Sequence, residues 1–261
     1  MYKIFLVIIF LFNFSFIAQA QKKEYKMVWH DEFNEKSLDT TQWNYVINGN
    51  GGGNNELQYY TNSPENVYLK DGHLYIVALK KSYKGKLYTS ARIDTKGKED
   101  FKYGRFEMRA KIPVGRGTWP AFWLLGQDIG KVGWPACGEV DIMEEVGFDP
   151  LWNHGSIHTP SSYGSTVNTS KIKVPDSHSK FHIYGVTWTP NKISFFIDNP
   201  EKPYYTYNPK IKNASTWPFN KPLFIILNLA IGGNWGGKMG IDNSTFPTTM
   251  EVDYVRVFQL K

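Results

Sequence analysis

In the segment Gly138-Glu139-Val140-Asp141-Ile142-Met143-Glu144, three carboxylates fall within six residues and every other member is glycine or apolar. Side chains on a regular strand alternate faces with period two. Glu139 and Asp141 then share a face, and Glu144 takes the other. One bulged residue, most simply Met143, restores the parity and turns all three acids to one side. Like charges at close range repel and are costly to desolvate, so an apolar strand gains no stability from such a cluster. Glycoside hydrolysis has a use for it, because that reaction takes one carboxylate as nucleophile and one carboxylic acid as proton donor. The competing readings are a solvated acidic patch or a calcium site, but the flanks lack the glycines and asparagines of a calcium loop. Glu145 should face away from the others and is given no part in the chemistry.

The acids sit among other ordered blocks. Trp119-Pro120-Ala121-Phe122-Trp123-Leu124-Leu125-Gly126 and Trp134-Pro135-Ala136-Cys137 lead into them. Upstream lie Trp29-His30-Asp31-Glu32-Phe33, Gly53-Asn54-Asn55-Glu56-Leu57-Gln58-Tyr59-Tyr60-Thr61 and Tyr88-Thr89-Ser90-Ala91-Arg92-Ile93. Downstream lie Asn228-Leu229-Ala230-Ile231-Gly232-Gly233-Asn234-Trp235 and Val252-Asp253-Tyr254-Val255-Arg256-Val257. In these blocks the chain resembles glycoside hydrolase family 16, and within it the laminarinase-like endo-1,3-β-glucanases, from about Met27 to Gln259.

The resemblance implies that Glu139 is the nucleophile and Glu144 the general acid/base, with Asp141 between them as an electrostatic helper. A retaining double displacement follows, for which the two carboxyl groups must stand roughly 5–5.5 Å apart. Trp119 and Trp123 resemble sugar platforms, with a pure core role as the alternative. Asn54 resembles an asparagine that hydrogen-bonds glucose hydroxyls. Arg92 resembles a cleft residue whose donor fork suits vicinal hydroxyls, with a structural salt bridge as its rival. His158 resembles a cleft histidine near the acid/base, against a satisfied core histidine. Asn234 and Trp235 follow two glycines and are expected on a loop at the cleft rim. The chemistry requires no cofactor. A structural calcium ion is implied on the convex face, held by the Glu32 side chain, the Gly72 carbonyl and Asp253, with an Asp253–arginine salt bridge as the alternative.

The elements that must carry these residues read as strands. Arg105 to Ile112 alternates strictly, with Phe106, Met108, Ala110 and Ile112 inward and four charged residues toward water. Ile193–Ile197 and Leu223–Leu229 read as strands buried over most of their length. Val252 to Phe258 alternates again. Gly, Pro and Asn clusters separate the short strands, and no long segment has helical period with caps at both ends. The pattern argues an all-β sandwich or barrel. The resemblance sharpens this to a jelly-roll β-sandwich of two curved antiparallel sheets, with the substrate cleft across the concave face.

Residues 1–20 read as a secretory signal peptide: Lys3 supplies the positive start, Ile4 to Ile17 is almost wholly apolar, and Ala18-Gln19-Ala20 is a small-x-small cleavage site near Ala20. A secreted or periplasmic protein is expected, with residues 21–261 as one catalytic domain. The lone cysteine, Cys137, precludes an internal disulfide and reads as a small buried residue. The net charge of +6 comes from basic residues interleaved with acids, which argues a solvated surface and no nucleic-acid footprint. No membrane association is expected after signal cleavage, and the chain is expected to be a monomer. The 16% aromatic content is the more telling figure, since Trp and Tyr beyond core needs are the usual platforms for sugar rings.

The expected partner is β-1,3-glucan. The alternatives are mixed-linkage β-glucan, a galactan such as agar or carrageenan, or a non-catalytic glucan-binding module on the same fold. The extra residue at Met143 argues against the dedicated mixed-linkage pattern, and the blocks Gly53–Thr61 and Trp119–Gly126 against sulfated galactans. Retention of all three acids argues against a binding module.

Overall fold

The computed structural model describes residues 24–261, and the expected signal segment at residues 1–20 lies outside them. In chain order the strands are β1 (Tyr25–Asp31), β2 (Asn44–Tyr45), β3 (Gln58–Tyr60), β4 (Val67–Lys70), β5 (His73–Ala78), β6 (Tyr88–Ser90), β7 (Arg92–Asp94), β8 (Gly104–Lys111) and β9 (Thr118–Gly126). They continue with β10 (Glu139–Glu144), β11 (Trp152–His158), β12 (Thr169–Lys173), β13 (His182–Trp188), β14 (Ile193–Ile197), β15 (Tyr205–Tyr207), β16 (Leu223–Ile231) and β17 (Thr248–Leu260). Among the described residues, helix is limited to one turn, α1 (Ile129–Val132), between β9 and β10, and a short 3₁₀ turn at Asn243–Thr245.

Two antiparallel sheets make a jelly-roll sandwich. One runs β15-β14-β13-β8-β17-β5-β4, with β1 added on β17. The other runs β12-β11-β10-β9-β16-β7-β2. A two-stranded parallel ladder, β3 with β6, stands apart from both. Alternation explains which face of each strand meets the core. On β9, Phe122 and Leu124 point inward; on β16, Leu223, Ile225, Leu227, Leu229 and Ile231 do. They meet Phe106, Met108 and Ala110 of β8 and Met250, Val252, Val255 and Val257 of β17. Each such fully buried Val, Leu, Ile, Phe or Met side chain contributes about 1.5–3 kcal/mol of transfer free energy.

β16 is buried on both faces because its other side carries Phe224 and Ile226 into a small second cluster with Leu125 and Cys137. Cys137 is indeed a packed apolar residue: burial, then the Glu139 charge, pushes its thiol up to about 11, so it holds no thiolate.

The alternation read in Arg105–Ile112 holds, with one departure. Glu107 faces outward yet is buried, covered by Arg105, whose Nε lies 2.7 Å away. A charged residue on the outer face of a central strand has charged neighbours on both sides, and their long stems exclude water from it.

Candidate active site

The bulge demanded by parity is present. Against β9, Asp141 pairs with Trp123 and Met143 with Phe122, so the unmatched residue is Ile142 and not Met143. Against β11, Asp141 pairs with Ser156 and Glu144 with His154. Ile142 and Met143 are consecutive yet both enter the core, which a regular strand forbids. Glu139, Asp141 and Glu144 are thereby all left on the outer face of the seven-stranded sheet. Gly138 starts the strand at φ 78°, where a Cβ would stand 2.9 Å from the Phe219 and Pro218 side chains. Only glycine fits there without strain.

Each glutamate has its own indole donor. Trp134 Nε1 donates to Glu139 Oε2 at 2.9 Å, and Trp119 Nε1 donates to Glu144 Oε1 at 2.9 Å. His158 Nε2 lies 2.9 Å from Asp141 Oδ2 and 3.8 Å from Glu139 Oε1. Burial is the largest cause that raises all three carboxyl groups, followed for the two glutamates by the Asp141 charge. Glu139 is pushed up to about 8, even though His158 and the Trp134 N–H pull the other way. Glu144 is pushed well above the usual carboxylate range. Glu145 faces the opposite side, buried, with its Oε1 2.5 Å from His178 Nε2.

The other expected residues gather around the acids. Trp119 and Trp123 are half-buried on the same outer face, two β9 positions apart on that side of the pleat. Trp119 meets the Trp235 ring edge-on at 5.4 Å. The Arg92 guanidinium lies over the Trp123 ring, 4.7 Å from its centroid, and makes no salt bridge among the described residues. Its structural rival is therefore absent there. The Asn54 carbonyl accepts from the Asn234 N–H at 2.8 Å, and Asn55 Nδ2 donates to Asn234 Oδ1 at 2.9 Å, so two loops join at the rim. His158 lies within the acid cluster, paired with Glu139 in the ladder, and the residue paired with Glu144 is His154.

Sequence reasoning missed four contributors. Trp134 was quoted in its block without a role, though its five-residue lead on Glu139 was visible. His154 shares a face with Ser156 and His158 by period-two alternation on β11, and burial lowers it to about 4, leaving it neutral. Asn228, buried on β16, accepts from Trp123 Nε1 at 2.7 Å. Glu56, also buried, accepts from the Tyr60 hydroxyl at 3.1 Å.

Two of the three implied calcium ligands, Glu32 and Asp253, are otherwise engaged. Arg256 Nε and Nη2 donate to the two Glu32 oxygens, each at 2.8 Å. Asp253 is held by Arg109 and lies 3.6 Å from His73 Nε2. Both carboxylates are neutralised by guanidinium groups, so as arranged the donor set does not fit a calcium ion.

Two carboxyl groups with separate N–H donors, flanked by open indole faces and a guanidinium, can attack and protonate a bound sugar acetal. Comparison with known proteins agrees with this geometry. The sequence model of the glycosyl hydrolases family 16 matches residues 54–256. A β-glucanase from Rhodothermus marinus is 44% identical over 247 residues, covering 90% of this chain and 85% of that protein. Glucan endo-1,3-β-glucosidase A1 from Niallia circulans is 38% identical over 263 residues, which are 89% of this chain but 38% of that longer protein. The crystal structure of the laminarinase from Flavobacterium sp. UMI-01 superposes with a TM-score of 0.84 at 44% identity, covering 90% of this chain and all of that one. The chain belongs to glycosyl hydrolase family 16.

Proposed function

We propose that the protein is a secreted endo-1,3-β-glucanase acting on laminarin-type glucan by a retaining double displacement. The observation that carries this reading is the bulged strand that turns Glu139, Asp141 and Glu144 to one face, each glutamate held by an indole N–H. Glu144, whose carboxyl group burial and the Asp141 charge raise well above the usual carboxylate range, gives its proton to the glycosidic oxygen. Glu139 attacks the anomeric carbon, and the Trp134 N–H and His158 favour its charged form. Water then attacks the glycosyl-enzyme, with Glu144 now acting as base. Asp141 keeps negative charge between the two and so helps hold the proton on Glu144. The step needs two carboxyl groups and water, and no cofactor enters it. Trp119, Trp123 and Trp235 offer ring faces to the glucan, Arg92, Asn54 and Asn234 offer donors, and His158 steadies Asp141. Secretion rests on the signal-like residues 1–20.

Product analysis on laminarin, lichenan, agarose and carboxymethylcellulose side by side tests the reading. Oligosaccharides of retained β configuration should appear from laminarin first and fastest. Cleavage of agarose without laminarin would reassign the substrate, and binding of laminarin without any cleavage would make the protein a glucan-binding module.

A further inference from the structure

Glu144 is buried, yet its partner on β9 is Ala121, whose methyl group covers little of it. Its cover comes from elsewhere. On β11 its ladder partner is His154. From β9, Trp119 leans over it, with the indole Nε1 donating to Glu144 Oε1 at 2.9 Å. The Trp235 indole meets both rings at nearly right angles, 5.4 Å from Trp119 at 80° and 5.0 Å from His154 at 89°. β9 and β11 flank β10 and stand about 10 Å apart. A ring within such reach of a side chain on each lies between them, above the end of β10 that carries Glu144.

The loop that brings Trp235 there rests on Trp119. A Cβ at Gly236 would stand 2.9 Å from Trp119 Cβ, and one at Gly233 would stand 3.5 Å from Trp119 Cζ3. The loop closes on itself, with the Gly237 N–H donating to the Gly233 carbonyl at 3.1 Å and the Lys238 N–H to the Trp235 carbonyl at 3.0 Å. His154 supplies the other wall. Its Nε2 is buried without a hydrogen-bond partner among the described residues, so on that side the ring works by packing. Burial lowers it to about 4, which leaves it neutral beside the acid. The other titratable groups facing Glu144 are Glu139 and Asp141 on β10, His158 on β11 and, beneath the sheet, Tyr204. Lys171 and Asp149 stand beside His154, and Glu145 turns to the opposite face, where it pairs with His178. β9 meets Glu144 with Ala121 and Trp119, and the rim loop with Trp235, none of them charged.

Resting on the endo-glucanase reading above, we infer that His154 is a positioning residue: with Trp119 it clamps the Trp235 indole across β10 as a roof that keeps water from the acid/base Glu144. Burial is the largest cause that raises Glu144, and the roof is part of that burial. Water admitted above the carboxyl group stabilises its charged form, so the proton that the glycosidic oxygen needs is lost at lower pH. A missing sugar contact lowers kcat/KM equally at every pH, whereas a missing roof moves the basic limb of the profile.

The test is the pH profile of kcat/KM, with thermal melting, for wild type, His154→Ala, His154→Phe, Trp235→Ala and the His154→Ala/Trp235→Ala double variant. His154→Ala and Trp235→Ala should each bring the basic limb down by about 1 in pH, read as an about 10-fold lower kcat/KM along that limb. The double variant should stop near the larger single change, because both substitutions open one roof. His154→Phe should return the limb to within about 0.3 in pH of wild type, since the wall needs a ring and not an imidazole. Wild-type turnover of laminarin judges the enzyme reading by itself, and the profiles are taken on whichever glucan the wild type cleaves. If it cleaves none, melting reads the same roof. Glu144 is raised in the folded chain, so its contribution to stability is present at low pH and lost as pH rises toward the folded value. The fall in melting temperature from pH 5 to pH 8 should then be smaller in His154→Ala than in wild type, and alike in the two once Glu144→Gln is added to both. A basic limb that stays within about 0.3 in pH in His154→Ala while the melting temperature falls would overturn the inference, as would limb changes that add in the double variant. In the absence of turnover, equal melting falls in wild type and His154→Ala would overturn it.

Discussion

Three carboxyl groups crowded on one buried face resist being charged together: burial raises all three, and the Asp141 charge raises both glutamates further. Glu139→Gln should abolish glucan hydrolysis, because an amide is nearly isosteric but a poor nucleophile. Glu144→Gln should be severely impaired on glucans and less so on an aryl glycoside whose leaving group needs little protonation. Azide should rescue the Glu144 variant to a β-azide and a Glu139→Ala variant to an α-azide; wild-type turnover in both glutamine variants would clear these residues of any role. The same crowding has a cost in stability. The folded-state values lie above the unfolded ones, so between the ordinary carboxylate range and about 8 the folded chain holds more protons. Stability must therefore fall as pH rises through that window. Glu144→Gln removes one contributor. At pH 8 it should melt higher than wild type by about 1–2 kcal/mol, read at roughly 2–4 °C per kcal/mol, and the gap should shrink toward pH 4.

β10 succeeds as a scaffold through one irregularity. Ile142 is the unmatched residue against β9, and the pairs on either side, Asp141 with Trp123 and Met143 with Phe122, are those of a regular ladder with one position removed. Against β11, closing that gap would bring Met143 opposite Gly155, between the existing pairs Asp141–Ser156 and Glu144–His154. Deletion of Ile142 should therefore yield a chain that folds, keeps all three acids on one face and retains measurable activity. Its main loss is a buried side chain, worth about 2–5 kcal/mol. Insertion of one alanine after Ile142 should do the opposite, turning Glu144 into the core and abolishing turnover. Circular dichroism melting and laminarin assays on the pair decide it: equal damage from both changes would mean that the bulge is not what sets the facing.

Over the whole molecule, chemistry and charge pairing are segregated. The outer face of the seven-stranded sheet carries the acids, indoles and imidazoles, while the outer face of the eight-stranded sheet carries ion pairs such as Arg256–Glu32, Arg109–Asp253 and Lys111–Glu251. Because Glu32 and Asp253 are already neutralised, millimolar calcium followed by EGTA should move the melting temperature by less than about 2 °C, and a shift beyond about 5 °C would show that an ion displaces the arginines. The split also explains what was legible beforehand. Strand alternation exposed β8 and β17, continuous apolar runs exposed β14 and β16, and the spacing of three acids exposed the bulge, because all these signals are local. The Trp123–Asn228 hydrogen bond was not legible, since its members lie on β9 and β16, brought together only by folding. The pairing of the two histidines was not legible for a similar reason: register, set by the whole sheet, put His158 opposite Glu139 and His154 opposite Glu144.

The bulge at Ile142 also bears on descent. If removal of Ile142 leaves the cross-strand partners of the acids in place, loss of a single codon turns the E-x-D-x-x-E spacing into E-x-D-x-E with all three carboxylates still on one face. The two spacings would then sit one mutational step apart.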